Sequence, residues 1–293
     1  MPITRVGLVA KTGLHAAAGA LADLAGWLEA REVQSVFETH TAEVAGLPRG
    51  RATVDRDRLP RECDLIVVLG GDGTLIGMAG RIADAGADVP ILGVNFGSLG
   101  FLTEVTLPEL YASLESVLAG DAEIDERMML RSRTWRDGAV FADRIALNDV
   151  VITKGALSRI IDLSVEVGEL PVMRVRADGL IVASPTGSTA YNLAAGGPIL
   201  HPEVDALLLT PIAPHMLTNR PIVIPGSSEV RVQPMMNGAN DEVYVTIDGQ
   251  SGHAVQANDV IDITRAERTL RLVRASTRTY FDVLRQKLKW SER

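Results

Sequence analysis

Five consecutive residues, Gly70-Gly71-Asp72-Gly73-Thr74, set one carboxylate among three glycines. They follow the apolar run Leu65-Ile66-Val67-Val68-Leu69 and precede the helix-like Leu75-Ile76-Gly77-Met78-Ala79. A strand feeding such a turn and then a helix places the turn at the carboxyl edge of a parallel sheet, where open α/β folds bind their ligands. Glycines there let the backbone approach a phosphate closely, and the first turn of the helix adds N–H groups and positive dipole. A carboxylate in that setting repels phosphate, so Asp72 needs a task of its own: base, metal ligand or hydroxyl acceptor. In phosphoryl transfer an aspartate orients the attacking hydroxyl and accepts its proton. The competing reading is a plain tight turn, which Gly and Asp favour in any protein. The string is neither the G-x-G-x-x-G dinucleotide fingerprint, whose third glycine would fall on Ile76, nor a Walker A loop, which ends in Gly-Lys-Ser/Thr.

Four more segments carry polar groups at the ends of apolar runs. Gly93 to Thr103 is glycine-rich and contains Asn95; it reads either as a second wall of the same crevice or as a glycine-rich connection. Ala146-Leu147-Asn148-Asp149-Val150 offers an amide beside a carboxylate, a pair able to donate to and accept from a diol; alone, Asn-Asp is more often a turn. Arg176 to Ile199 contains Asp178 and the hydroxyl-rich Ser184-Pro185-Thr186-Gly187-Ser188-Thr189, followed by Ala190-Tyr191-Asn192-Leu193-Ala194. Its Ser and Thr can be helix caps, which accounts for one or two hydroxyls but not for the crowd. Asp248-Gly249-Gln250 by itself is a hairpin turn.

The elements that must position these groups change character along the chain. Val6 to Ala10, Val33 to Phe37, Leu65 to Leu69 and Ile91 to Val94 read as short strands. Between and after them, residues 15 to 30 (Leu21, Leu24, Ala25 and Leu28 on one face) and Pro108 to Leu118 read as helices. A strand apolar on both faces, such as Leu65 to Leu69, belongs in a parallel sheet covered on both sides. From Asp125 the helical period almost vanishes. Strand-like pieces follow at 128–135, 139–153, 161–167, 172–175, 180–183, 222–224, 230–233, 243–247 and 260–263, with turns at Asp137-Gly138, Pro225-Gly226, Asn237-Gly238 and Asp248-Gly249. Ser188 to Ala195 is the one helix expected among them. The expected organisation is an open, Rossmann-like α/β domain over residues 1–124 and an all-β, sandwich-like domain over 125–268. A segment 269–293 ends in a helix (279–290) that packs back on the first domain.

Composition narrows the function classes. The chain has 293 residues, 46% hydrophobic and 23% charged, an ordinary globular balance. A net charge of -8 and 4% aromatics argue against a nucleic-acid partner. No apolar run reaches the roughly 18 residues of a membrane span and the N-terminus has no secretory character, so a soluble, cytoplasmic protein without a membrane partner is expected. Cys63 is the single cysteine and is expected to be a buried structural thiol. The histidines at 15, 40, 201, 215 and 253 lack zinc spacing, and no residue cluster announces a metal cage. Arg271, Arg274 and Arg278 read as a solvated stripe.

Gly70 to Thr74 resembles the signature of NAD kinases, of diacylglycerol and sphingosine lipid kinases and, with small changes, of 6-phosphofructokinases. The segments Gly93 to Thr103, Asn148-Asp149 (most NAD kinases carry Asn-Glu), Arg176 to Ile199 and Asp248-Gly249-Gln250 are similar to NAD kinase blocks in the same order, over roughly residues 5 to 285. The resemblance implies transfer of the γ-phosphate of ATP to the adenosine ribose 2′-hydroxyl of NAD, with Asp72 as catalytic base and a divalent metal, Mg²⁺, held mainly by phosphates. It places Gly71, Gly73, Thr74, Asn95, Asn148, Asp149, Arg176, Asp178, Ser188, Thr189, Ala190, Tyr191, Asn192, Leu193, Ala194 and Gln250 around the substrates. Tyr191 would lie against adenine, Asp178 would accept from its amino group, and Arg176 would favour oxidised NAD over NADH. A homo-oligomer, dimer or tetramer, is implied as well. A lipid kinase and a non-catalytic dinucleotide sensor remain as alternatives.

Overall fold

A computed structural model describes residues 3–46, 52–155, 160–216, 218–236, 242–275 and 278–290; the expected Asn237-Gly238 turn lies outside them. The chain divides into two compact units, Met1–Glu126 with Leu270–Arg293, and Arg127–Thr269.

The first unit runs β1 (Arg5–Ala10), α1 (Ala18–Glu29), β2 (Gln34–Glu38), α2 (Thr39–Val44), β3 (Thr53–Val54), β4 (Leu65–Gly70), α3 (Asp72–Asp84), β5 (Ile91–Asn95), β6 (Val105–Thr106), α4 (Leu110–Ala119) and β7 (Glu123–Arg127). The helix expected from Leu21, Leu24, Ala25 and Leu28 forms, and all four side chains are buried. Every residue of β4 is buried. Leu65, Val67 and Leu69 join the core with α1 and α4, and Ile66 and Val68 point to the opposite face, as strand alternation requires. β1 pairs in parallel with β2 on one side and β4 on the other, and β4 pairs in parallel with β5. Chain order therefore reverses between β1 and β4. At their carboxyl ends this leaves a crevice that no crossover covers, flanked by Lys11 and Gly70.

The second unit contains β8 (Leu130–Arg136), β9 (Ala139–Ala146), β10 (Asp149–Lys154), β11 (Ile161–Val167), β12 (Leu170–Ala177), β13 (Gly179–Ala183), α5 (Tyr191–Ala194), β14 (Ala206–Ile212), β15 (Ile222–Pro225), β16 (Val230–Met235), β17 (Val243–Ile247), β18 (Ser251–Val255) and β19 (Val260–Arg265). These strands form two six-stranded sheets, β15-β14-β13-β10-β17-β18 and β12-β11-β16-β19-β8-β9. Their inner faces meet in one core that includes Val150, Ile152, Val182 and Val245 from the first sheet and Leu163, Val232 and Ile261 from the second. This is the sandwich that short alternating strands imply.

The chain then returns to the first unit through β20 (Leu270–Arg274) and α6 (Tyr280–Leu288). β20 enters the large sheet between β5 and β7, parallel to β5. The expected solvated arginine stripe is corrected here: Arg271 pairs with Asp88 at 3.5 Å, Arg274 with Glu104 at 3.7 Å, and Arg278 with Glu109 at 3.0 Å. Two further expectations change. The 139–153 piece is two strands in different sheets, broken at Leu147 and Asn148. The 188–195 helix is a 3-10 turn at Thr186–Thr189 followed by α5, with a break at Ala190 (φ −94°, ψ −128°).

Candidate active site

In the first unit Gly71 caps α3, Asp72 is its first residue, and Gly73 and Thr74 complete the opening turn. The Asp72 carboxylate reaches across to the segment after β5. Oδ2 accepts from Phe101 N–H at 2.8 Å, and Oδ1 accepts from Leu102 N–H (3.1 Å), Thr103 N–H (3.0 Å) and Thr103 Oγ1 (3.0 Å). Oδ1 is thereby saturated, and Oδ2 keeps lone-pair capacity for one more donor. Asn95 is buried and works within the same segment: its Nδ2 donates to Ser98 O (2.6 Å) and Thr103 Oγ1 (3.2 Å), and its Oδ1 accepts from Gly97 N–H (2.6 Å). Its amide holds the loop that orients Asp72. Gly100 makes the approach possible, because a Cβ there would lie 2.1 Å from Asp72 Oδ1 and 2.3 Å from Thr103 Oγ1.

In the second unit the break between β9 and β10 is itself a binding feature. The N–H groups of Leu147, Asn148 and Asp149 turn away from a strand ladder and donate to the Asp248 carboxylate at 2.8, 2.7 and 3.0 Å. Asp248 and Gly249 have φ of 52° and 66°, the two left-handed residues of a type I′ hairpin turn joining β17 to β18. Ser184 to Leu200 then folds over the outer face of the β14-β13-β10 sheet, where Val151, Ile181, Ala183 and Leu208 pack with Ala195 and Leu200. Gly187 is pressed against Asn148, its Cβ position 2.0 Å from the Asn148 carbonyl oxygen. Ser184 Oγ donates to Leu147 O at 2.6 Å.

The result is a cavity of about 430 Å³ lined by Asn148, Asp149, Val151, Thr153, Ala190, Tyr191, Thr246, Asp248 and Gly249. Of the residues expected from sequence, it brings together Asn148, Asp149, Ala190 and Tyr191. Tyr191 is 45% exposed and free to stack on a planar group. Asp149 is 4% exposed; burial first, and then the neighbouring Asp248 charge, push its carboxyl up to about 7. Burial also raises Asp248, against the pull of its three backbone donors.

Other expected residues sit outside this lining. Ser188 is buried and exchanges hydrogen bonds with the Leu200 backbone (3.0 and 3.2 Å). Asn192 is buried between Ser188 O, Pro198 O and Thr210 Oγ1. Thr189 Oγ1 donates to Thr186 O at 3.4 Å. Ser188 and Thr189 bond within the segment, and Asn192 ties it to β14 through Thr210. Leu193 and Ala194 belong to α5. Asp178 lies 3.7 Å from Lys154 Nζ. Arg176 is exposed on β12, and Gln250 is exposed beyond the β17–β18 turn.

Val151, Thr153 and Thr246 are cavity residues that the sequence did not single out, and of the Asp248-Gly249-Gln250 block, which it did, only Gln250 was placed around the substrates although Asp248 and Gly249 line the cavity. Strand alternation from Asp149 finds Val151 and Thr153, and the register Val151↔Thr246 supplies Thr246. A larger cavity of about 570 Å³ on the outer face of the other sheet is lined by Trp135, Glu166, Arg231 and Asp262 among others. Its Arg231 and Asp262 are paired at 3.0 Å, and it contains none of the motif residues.

Comparison with known proteins places both units. Residues 6–122 match the family model described as ATP-NAD kinase N-terminal domain, and residues 147–275 match that of the ATP-NAD kinase C-terminal domain. A curated relative named NAD kinase, from Geotalea daltonii, is 50% identical over 289 residues, covering 99% of each chain. Two solved structures share the fold. The crystal structure of yeast NADH kinase complexed with NADH has a TM-score of 0.91 and 24% identity, covering all of this chain and 89% of that one. That of an NAD kinase from Archaeoglobus fulgidus in complex with ATP has a TM-score of 0.75 and 25% identity over 96% of this chain and 99% of that one. With both halves of the sequence matched and half of all residues identical to a full-length relative, the chain belongs to the ATP-NAD kinase family.

Proposed function

We propose that this chain is an NAD kinase: it transfers the γ-phosphate of ATP to the 2′-hydroxyl of the adenosine ribose of NAD, giving NADP and ADP. The observation that carries the reading is the 50% identity over 289 residues with a relative named NAD kinase. The structural features agree with it chemically. The glycine turn at the β1–β4 crevice offers backbone and a helix N-terminus to phosphates. The cavity of the second unit offers Asn148 and Asp149 to a ribose diol and Tyr191 to a base.

Asp72 Oδ2 takes the proton of the 2′-hydroxyl as the new P–O bond forms and the bond to ADP breaks. Four hydrogen bonds fix its carboxylate for that purpose. Asp178 and Gln250 contribute at the rim of the dinucleotide site, and Arg176 selects NAD over NADH. An Mg²⁺ ion would be held by the donor's phosphates and water; among the described residues no three His, Cys, Asp or Glu side chains converge to hold one. Such an ion would offset phosphate charge.

No described helix is long and apolar enough to cross a membrane, and the proposed setting is the cytoplasm, as a homo-oligomer. The test is NADP formation from Mg-ATP and NAD, read through an NADP-specific dehydrogenase, with NADH run in parallel. Asp72→Asn is expected to keep the fold and lower turnover by at least about 100-fold. Near wild-type turnover in that variant removes Asp72 from the base role, and no NADP from folded wild-type protein removes the activity.

A further inference from the structure

Asp248 does more than close a hairpin. Its carboxylate sits at a left-handed turn residue, lines the cavity with Asp149, and spends itself on three consecutive N–H groups of the chain leading into Asp149. A hairpin turn needs none of those bonds. They tie the β17–β18 turn to the β9–β10 break, so the direction of the Asn148 and Asp149 side chains depends on a residue about 100 positions away.

We propose that Asp248 is a positioning residue of the dinucleotide site: it fixes the Asn148–Asp149 corner through backbone hydrogen bonds and holds a second negative charge against Asp149. The proposal rests on the reading that this cavity takes the ribose diol.

The electrostatic consequence follows from what faces Asp149. From the β17–β18 turn come Asp248 and Gly249, and from α5 comes Tyr191. From β17 comes Thr246, and from β10 itself Val151 and Thr153. Across the β10–β13 register stands Ala183. Among the described residues lining the cavity no cation offsets the two carboxylates. Asp248, with three N–H donors on its oxygens, ionises first, and Asp149 keeps its proton to a higher pH, in two coupled steps. An ionised Asp149 accepts from a ribose hydroxyl, and a protonated one accepts less well. Affinity for NAD therefore rises as Asp149 loses its proton.

The experiment is the pH profile of kcat/KM for NAD from pH 5 to 9 in wild type, Asp248→Asn and Asp149→Asn. The amide of Asp248→Asn can still accept from two of the three N–H groups but carries no charge. The wild-type acid limb is expected near pH 7, lower by about one pH unit or more in Asp248→Asn, and absent in Asp149→Asn. A limb that stays in place in Asp248→Asn, while KM rises equally at every pH, means a purely structural turn and overturns the proposal.

Carboxyl ¹³C NMR of aspartate-labelled wild type decides the matter without that variant and without catalysis. The Asp149 resonance, assigned by its loss in Asp149→Asn, should move in two steps, a small one as Asp248 ionises and a large one near neutrality. A single step in the ordinary aspartate range overturns the proposal. Wild-type protein that makes no NADP would instead remove the functional reading, and the NMR arm would still stand.

Discussion

Burying one carboxylate beside another leaves Asp149 protonated to about pH 7, against 3.8 for the ordinary side chain. The native state therefore binds that proton more tightly than the unfolded state does. Between the two values stability falls as pH rises, and the full benefit is present only below the lower one. Asp149→Asn removes the burden: the variant is expected to be more stable than wild type by a few kcal/mol at pH 8, and by little at pH 4, in urea unfolding. It should at the same time lose NAD affinity, the usual exchange of stability for function at a binding residue. Equal stability gains at both pH values would show that the carboxyl titrates normally. At this scale the sequence was readable where chemistry stands out against its surroundings, as with Asp72 among glycines or Asn148 beside Asp149. At Asp248 the segment stood out but the role did not, because Asp-Gly is a common hairpin turn and nothing local tells that its carboxylate bonds Leu147, Asn148 and Asp149. Ser188 and Asn192 show the opposite case: their types suit a ligand, and the structure shows their side chains bonded to Leu200 and Thr210.

Periodicity located most elements and missed the places where side chains override it. Helix α1 follows from its buried stripe and β4 from its unbroken apolar run. The break at Leu147–Asn148 goes with hydrogen bonds to Asp248 about 100 positions away, which no local window contains, and the one at Ala190 lies between Ser188 and Asn192, whose side chains bond Leu200 and Thr210. Both breaks carry cavity residues, as expected where function overrides local preference. The loop after β5 allows a direct test of such control. Gly97 and Gly100 both lie in it, yet a Cβ at Gly97 meets nothing within 4 Å, and one at Gly100 overlaps Asp72 Oδ1 at 2.1 Å. Gly100→Ala is expected to displace the Asp72 carboxylate and lower kcat by at least about 10-fold, since misplaced catalytic groups lose orientation. Gly97→Ala should retain wild-type turnover. Equal activities in the two variants would mean that the Asp72 clamp does not matter to the reaction.

The α/β-then-β organisation was legible because the dominant period changes from helical to alternating near residue 125. The return of the chain to the first domain was expected as a helix; its passage through the middle of the large sheet as a strand was not. Leu270-Arg271-Leu272-Val273-Arg274 has the alternation of a strand, but which sheet receives it depends on pairing with β5, where Leu272 stands opposite Ile91. Leu270, Leu272 and Val273 are each at most 2% exposed. At roughly 1.5–3 kcal/mol for each buried side chain, the three contribute on the order of 5–9 kcal/mol, comparable with the whole stability of a typical domain, about 5–15 kcal/mol. Three polar anchors add to this: Ser113 Oγ donates to Ala275 O at 3.1 Å, and Arg278 donates to Glu104 O at 3.1 Å and to Glu109 at 3.0 Å. The hydrogen bonds from Arg278 are the main reason the Glu109 carboxyl is lowered to about 2. A chain ending at Thr269 would keep every residue of the second unit and both segments that flank the crevice, Gly70 to Thr74 and Gly93 to Thr103. It would nevertheless lose the strand between β5 and β7. Its first unit is expected not to fold cooperatively, leaving a single unfolding transition, that of the β-sandwich, and no kinase activity. Arg278→Gln, which spares the three apolar side chains, should fold and lose stability chiefly at neutral pH rather than in acid. Its deficit should be present above the ordinary Glu range and disappear as pH falls through about 2, because below that value Glu109 is protonated in both states. Calorimetry of both proteins separates the contributions. A truncated chain with the wild-type melting profile would show that the large sheet holds without β20, and that the C-terminal return is an accessory to the fold rather than one of its middle strands.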